Sequence, residues 1–155
     1  MRAFLYRLRK KVLKRWARDA FFPAWRVRLL RWCGVHVGQD VYIADGLLIV
    51  EELTDRDNVF IGDRVSIAPR VTIVTSSHPN RSQIRAVAPT ANGPVRIEAD
   101  AWIGAGSVIL PGVRVGRGAV VGALSVVAHD VPPLMIVAGA PAKPVRALPP
   151  PAGWQ

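Results

Sequence analysis

The feature that most constrains this chain is a period of six. Aliphatic residues recur at every sixth position from Val37 through Ile43, Ile49, Ile61, Ile67 and Ile73, and again from Ile97 through Ile103, Ile109, Val115, Val121 and Val127. Asp55 holds the same register and is the one non-aliphatic residue in it. The residue after each leader is often small: Gly38, Ala44, Gly62, Ala68, Gly104, Gly116, Gly122 and Ala128. Four beyond the leader stands an apolar or small residue: Val41, Leu47, Leu53, Val59, Val65, Val71, Ala101, Ser107, Val113, Ala119 or Ser125. Six fits neither the 3.6 of a helix nor the 2 of a flat strand. It fits a β-helix in which six residues make one side of a coil, with a branched residue aimed at the axis and a small residue at the corner. The composition agrees: 50% of the chain is apolar and only 7% aromatic, so its interior rests on Val, Ile, Leu and Ala.

The repeat is interrupted between Ile73 and Ile97. Residues 61–79 read IGDRVSIAPRVTIVTSSHP, three hexads of which the last ends on His78. Residues 80–93 (NRSQIRAVAPTANG) are polar with Pro and Gly, and predict a loop thrown out from the coils. Long loops in compact domains are commonly functional. The histidine stands where the period is lost, which makes His78 the candidate working group. His36 reads as structural. The histidines at 36, 78 and 129 have no metal-ligand spacing, and the single Cys33 offers neither a disulfide nor a thiolate site, so no metal is expected.

The net charge of +10 is uneven. Residues 1–32 carry eleven Lys/Arg and one Asp, and the rest of the chain is balanced. The spacing predicts an amphipathic helix over 1–18, with Phe4, Leu5, Leu8, Val12, Leu13 and Trp16 on one face, and a second helix over about 24–32 stopped by Gly34. Two compatible roles follow: a cap on the open end of the β-helix, its apolar face inward and its basic face solvated, or contact with an anionic membrane surface through residues 1–22. Nucleic acid is not expected, because no recognition motif accompanies the charge. No apolar run reaches the roughly 20 residues of a membrane span, and no apolar signal segment follows the basic start. The expected setting is the cytoplasm, with room for peripheral attachment at the inner face of the membrane. The expected organisation is a basic arm (1–34), a β-helix domain (35–146) with a loop at about 79–94, and a Pro-rich tail (147–155) that frays.

Several segments carry a resemblance: IGDRVSIAPRVTI followed by SSHP, then AWIGAGSVILPGVRVGRGAVVGALSVV, DVPP and IVAGAPAKPVR. Over about residues 35–146 the chain resembles the hexapeptide-repeat acyltransferases, in particular the galactoside, maltose and polysaccharide O-acetyltransferase branch. The resemblance implies an all-β fold, a left-handed parallel β-helix of hexapeptide repeats behind short N-terminal α-helices. It implies a homotrimer with acetyl-CoA lying between neighbouring β-helices. His78 would be the general base on the acceptor hydroxyl, a role that suits imidazole because its ordinary pKa lies near neutrality. A backbone N–H at Ser76 or Ser77 would hold the oxyanion. Transfer would be direct, since no Cys or Ser has a nucleophile context.

On the coenzyme side the resemblance places Trp102 beside the pantetheine arm, and Ala105 and Ala123 against the coenzyme. Ala128 and His129 stand where the family often has Thr and Lys. Lys143 and Arg146 match a basic pair facing the phosphates. On the acceptor side Leu48 and Arg56 replace the Asn and Asp of the galactoside enzymes. The cleft is left to Asp55, Glu51, Asn80 and Arg81, with Glu52 and Arg70 as further candidates. Asp55 either serves the site or marks a local break in the repeat. The implied activity is acetyl-CoA-dependent O-acetylation of a sugar or glycan precursor in cell-envelope or capsule polysaccharide biosynthesis. The alternatives are acetylation of an amine or xenobiotic on the same scaffold, and a non-catalytic β-helix.

Overall fold

The computed structural model describes residues 2–52, 55 and 57–154, with side chains from Leu5 onward; Leu53, Arg56 and the Arg2 and Phe4 side chains lie outside the described residues. The hexads form three parallel faces. The first contains His36–Val37, Val59–Ile61, Val95–Ile97 and Arg114–Val115, and Val131 joins it by a single bridge to Val115. The second contains Tyr42–Ile43, Ser66–Ile67, Trp102–Ile103, Val120–Val121 and Met135–Ala138. The third contains Leu48–Val50, Thr72–Val74, Val108–Ile109 and Val126–Val127. Each leader sits over the leader of the neighbouring coil, as in Ile43↔Ile67↔Ile103↔Val121↔Val137. The chain visits the faces in a fixed cyclic order and builds a triangular prism, the left-handed parallel β-helix expected. It departs from the right-handed crossover usual for parallel strands.

The interior takes two residues per side, not one. Ile67, Ile73, Ile103 and Ile109 are fully buried at the leading positions, and so are Val65, Val71, Ala119 and Ser125 four residues on. Fully burying one such aliphatic side chain is worth roughly 1.5–3 kcal/mol. Between them the chain turns through a left-handed residue, which includes Asp40, Arg64, Arg70, Asp100 and Leu124 as well as glycines. Arg64 and Asp100 stack at one corner, 2.6 Å apart. The hydrogen bond from Arg64 holds the Asp100 carboxyl below its ordinary range.

The coils are unequal in length. Val37 pairs with Ile61, Ile61 with Ile97 and Ile97 with Val115, spacings of 24, 36 and 18 residues. Three sides of six account for 18. The first coil therefore carries one extra hexad and the second carries three. The extra hexad of the first coil is the one that includes Asp55, so that residue does not lead a side of the prism. Both insertions leave from the corner between the third and first faces. The residues after the leaders there are Val50, Val74, Leu110 and Ala128. At the other corners the coils close up: a Cβ on Gly104 would lie 2.5 Å from the Ala123 nitrogen, and one on Gly62 would lie 2.6 Å from that of Ala99.

Two helices, α1 (Arg2–Asp19) and α2 (Pro23–Trp32), cover the first coil. Edge strands have carbonyls with no strand partner, and buried carbonyls need donors. The arm supplies cations to all three faces. Arg31 donates to the Val37 and Gly38 carbonyls (3.1 and 2.5 Å) on the first. Arg26 donates to Ile43 (3.0 Å) on the second, and Lys14 to Ile49 (2.7 Å) on the third. Lys10 reaches the Asp55 carbonyl at 2.6 Å. Part of the arm's charge thus serves capping.

This arrangement reverses the expected orientation of α1. Its inward face carries Lys10, Lys14 and Ala17 with Leu13, the one described residue of the expected apolar face that packs on the core, while Leu5, Leu8, Val12 and Trp16 are exposed, Trp16 at 62%. Glu51 completes the inward face: its carboxylate, 4% exposed, lies 2.9 Å from Lys10 and 3.0 Å from Lys14. Removing one partner of a buried pair strands the other charge, at a cost of about 3–5 kcal/mol. Glu51→Ala is accordingly expected to lower the unfolding free energy by about 3 kcal/mol in urea titrations.

The far end is also covered. Lys143–Ala147 pairs antiparallel with Met135–Ala138. The tail expected to fray turns back, and the Trp154 ring lies 4.3 Å beneath the Arg117 guanidinium.

Candidate functional site

Beyond Val74 the chain leaves the prism as a short ribbon in which Ser76–Ser77 pairs antiparallel with Ala91–Asn92. His78 follows at the ribbon's end. It lines a cleft of about 500 Å³ with Pro79, Asn80, Arg81, Arg85 and Thr90. The extra hexad leaves from the same corner one coil below, and this brings the two insertions together. Glu52 Oε1 lies 2.5 Å from His78 Nε2. A carboxylate on one ring nitrogen fixes the tautomer and orientation of an imidazole and leaves the other nitrogen to work.

The ribbon also distinguishes the two serines. The Gly93 N–H donates to the Thr75 carbonyl (3.0 Å), and Ser76 stands opposite Asn92. In that register the Ser76 N–H points away from the ribbon, while the Ser77 N–H faces Ala91. Of the two, only the Ser76 N–H is turned out of the ribbon's own pairing.

The acceptor-side candidates divide. Asn80 and Arg81 share the cleft with His78. Glu51 does not: as an ion-pair partner of Lys10 and Lys14 its carboxylate is turned into the arm, and the expectation that it meets an acceptor is corrected. Asp55 accepts from Asn58 Nδ2 at 2.8 Å and is not paired with His78, which favours a local break in the repeat. Arg70 turns the corner between the second and third faces, beside Gly46, away from the cleft. Arg85 and Thr90 are additions to the candidate set. Arg85 was discoverable as a cation in the polar loop; Thr90 carried no signal.

The coenzyme-side candidates lie elsewhere. Trp102 is exposed on the second face, in a row Trp102↔Val120↔Ile136↔Arg146 that runs along the outside of the prism. Lys143 is on the same terminal strand as Arg146. Ala105 and Ala123 stack at the adjoining corner, where the Ala105 carbonyl accepts from the Leu124 N–H. Ala128 and His129 follow the third face, at the corner from which His78 departs two coils earlier. In a triangular prism that corner is opposite the second face. One chain therefore holds the candidates in two separate groups: His78 with Ala128 and His129 at one corner, and Trp102, Lys143 and Arg146 on the opposite face with Ala105 and Ala123 at its edge.

Among the described residues no three His, Cys, Asp or Glu side chains gather as a metal site. Burial pushes the Cys33 thiol up to about 11, which removes it as a nucleophile at neutral pH.

Comparison with known proteins bears on the fold and the family. Residues 94–129 match the family described as bacterial transferase hexapeptide (six repeats). The galactoside O-acetyltransferase of Escherichia coli K12 is 38% identical over 114 residues, 74% of this chain and 54% of that protein. The chain thus spans about half the length of the curated relatives it matches. A hexapeptide-repeat acetyltransferase from Vibrio cholerae superposes with a TM-score of 0.70 at 31% identity, covering 96% of this chain and 94% of that one. A galactoside acetyltransferase in complex with coenzyme A gives a TM-score of 0.71 at 25% identity, covering 95% of this chain and 82% of the other.

Proposed function

Because the chain belongs to the hexapeptide-repeat acetyltransferase family, we propose that it transfers the acetyl group of acetyl-coenzyme A directly to a hydroxyl of a sugar or glycan precursor. The observation that carries this reading is the His78–Glu52 pair at the mouth of a cationic cleft. With Nε2 held by Glu52, Nδ1 takes the proton of the acceptor hydroxyl as its oxygen attacks the thioester carbonyl. The new C–O bond forms and the oxyanion is held by the Ser76 N–H. Collapse breaks the C–S bond, and the imidazolium returns its proton to the departing thiolate. Arg81 and Arg85 suit an acceptor that carries a phosphate or carboxylate. The likeness to galactoside O-acetyltransferases favours a hydroxyl over an amine.

The separation of these two groups within one chain supports a homotrimer. Each active site would join the His78 corner of one copy to the Trp102 face of the next, with Lys143 and Arg146 toward the coenzyme phosphates. A heterologous contact of this kind closes into a ring of three when its rotation is one third of a turn. The basic arm supports a setting at a membrane surface, where glycan precursors are carried in cell-envelope or capsule polysaccharide biosynthesis.

The test is thiol release from acetyl-coenzyme A with neutral sugars, sugar phosphates, uronic acids and amines, alongside calorimetry with coenzyme A. Turnover on a hydroxyl acceptor is expected. Absence of both turnover and coenzyme binding would remove the enzymatic reading, and turnover on amines alone would replace it with N-acetylation. Glu52→Gln is expected to lower kcat by about tenfold to a hundredfold with coenzyme affinity unchanged, as positioning of the base requires. An unchanged kcat would free Glu52 of that role.

A further inference from the structure

We propose that the outward face of the helical arm docks on an anionic lipid bilayer. The stripe Leu5, Leu8, Val12 and Trp16 on α1 is exposed although a packed helix ordinarily turns such a stripe inward. The inward face is already filled by Lys10, Leu13, Lys14 and Ala17, so the stripe has no place in the core. The patch continues past the helix end. Trp16, Phe21, Phe22 and Trp25 line one shallow concavity, and Phe21 is 85% exposed. Phe21 and Phe22 pack edge to face at 5.0 Å, which presents two rings as one wedge.

Charge selects the occupant. Lys10, Lys14, Arg26 and Arg31 are taken up by capping. Arg7, Arg9, Lys11, Arg15 and Arg28 remain exposed on the arm. On the helical wheel Arg9 flanks the stripe on one side, and Arg15 and Lys11 flank it on the other. Apolar and aromatic side chains bordered by cations on both sides are what an interfacial helix presents to acidic headgroups. A second copy meeting this face through its own arm would set like charges against each other. Among the described residues no helix is long and apolar enough to cross a membrane, so the mode is attachment and not insertion. The inference deepens the membrane-side setting of the proposed reaction but stands on the geometry of the arm alone.

The experiment is co-sedimentation of the full chain with vesicles of phosphatidylcholine plus phosphatidylglycerol, and with phosphatidylcholine alone. Binding to the mixed vesicles is expected, weakened about tenfold or more without the acidic lipid or in ~0.5 M salt. Phe21→Glu with Trp25→Glu should abolish it, while solution mass by light scattering, thermal midpoint and acetylation of a soluble acceptor stay unchanged. Arg9→Glu with Arg15→Glu, which replaces no apolar side chain, should weaken binding to acidic vesicles about tenfold or more, and keeps the test open if the first variant folds poorly. Absence of vesicle binding overturns the proposal. So does a change of oligomeric mass in the Phe21/Trp25 variant, which would show that another copy covers the face. Lipid binding without acetyl transfer would sink the reaction and keep the surface; the reverse would do the opposite.

Discussion

His78→Ala is expected to reduce acetyl transfer by about 10²–10⁴-fold while leaving coenzyme affinity within a factor of two or so. The size follows from the chemistry: a hydroxyl is a weak nucleophile until a positioned base takes its proton. The selectivity follows from the anatomy. His78 stands on an excursion from the prism and belongs to no strand of the face that carries Trp102 and Arg146, so its loss leaves that row in place in every copy. It also has little bearing on stability, because the ring is exposed and the prism continues unbroken beneath it. Single-turnover thiol release combined with calorimetry separates the two effects. Wild-type turnover in the variant would remove His78 from the mechanism; lost coenzyme binding would place it in the coenzyme site.

The second large effect concerns the division of the site between copies. His78→Ala and the pair Trp102→Ala with Arg146→Glu should each be inactive alone, for different reasons. Mixed at equal amounts, dissociated and reassociated, they should regain roughly a quarter of wild-type activity. In a ring with one-directional contacts, a site is intact when its histidine comes from one variant and its coenzyme face from the other, which random assembly provides about one time in four. A site built within a single chain would regain nothing. Trace reversion or incomplete inactivation is excluded by the same assay on each variant alone.

The prism itself was legible because its geometry repeats. Six residues fix the length of a side, and the closed interior admits only Ile, Val and a few small residues, so the pattern declares the fold. Where sequence reasoning failed, it failed for definite reasons. Asp55 looked like a defective leader because an insertion of one whole hexad keeps the arithmetic in phase; periodicity cannot tell a side from an excursion of the same length. Glu51 and Glu52 were both candidates for the cleft. In extended chain neighbouring side chains point opposite ways, and only the position of Lys10 and Lys14 decided which carboxylate was left for His78. The arm was misoriented because the rule that apolar stripes face inward ignores the needs of the surface they would face. The rim of the first coil is a ring of carbonyls, and it takes lysine and arginine.

The unequal coil spacing bears on how the molecule assembles in time. In the last part of the prism, partners are close in sequence: 18 residues separate Ile97 from Val115, and 16 separate Val115 from Val131. Around the histidine excursion the separation is 36. Each doubling of a closing loop costs about 0.6 kcal/mol of chain entropy, and non-local pairings slow folding. The C-terminal coils are thus the cheapest place to nucleate, and growth proceeds toward the N-terminus one coil at a time. The excursion that bears His78 and the arm that seals the rim are then the last parts to set.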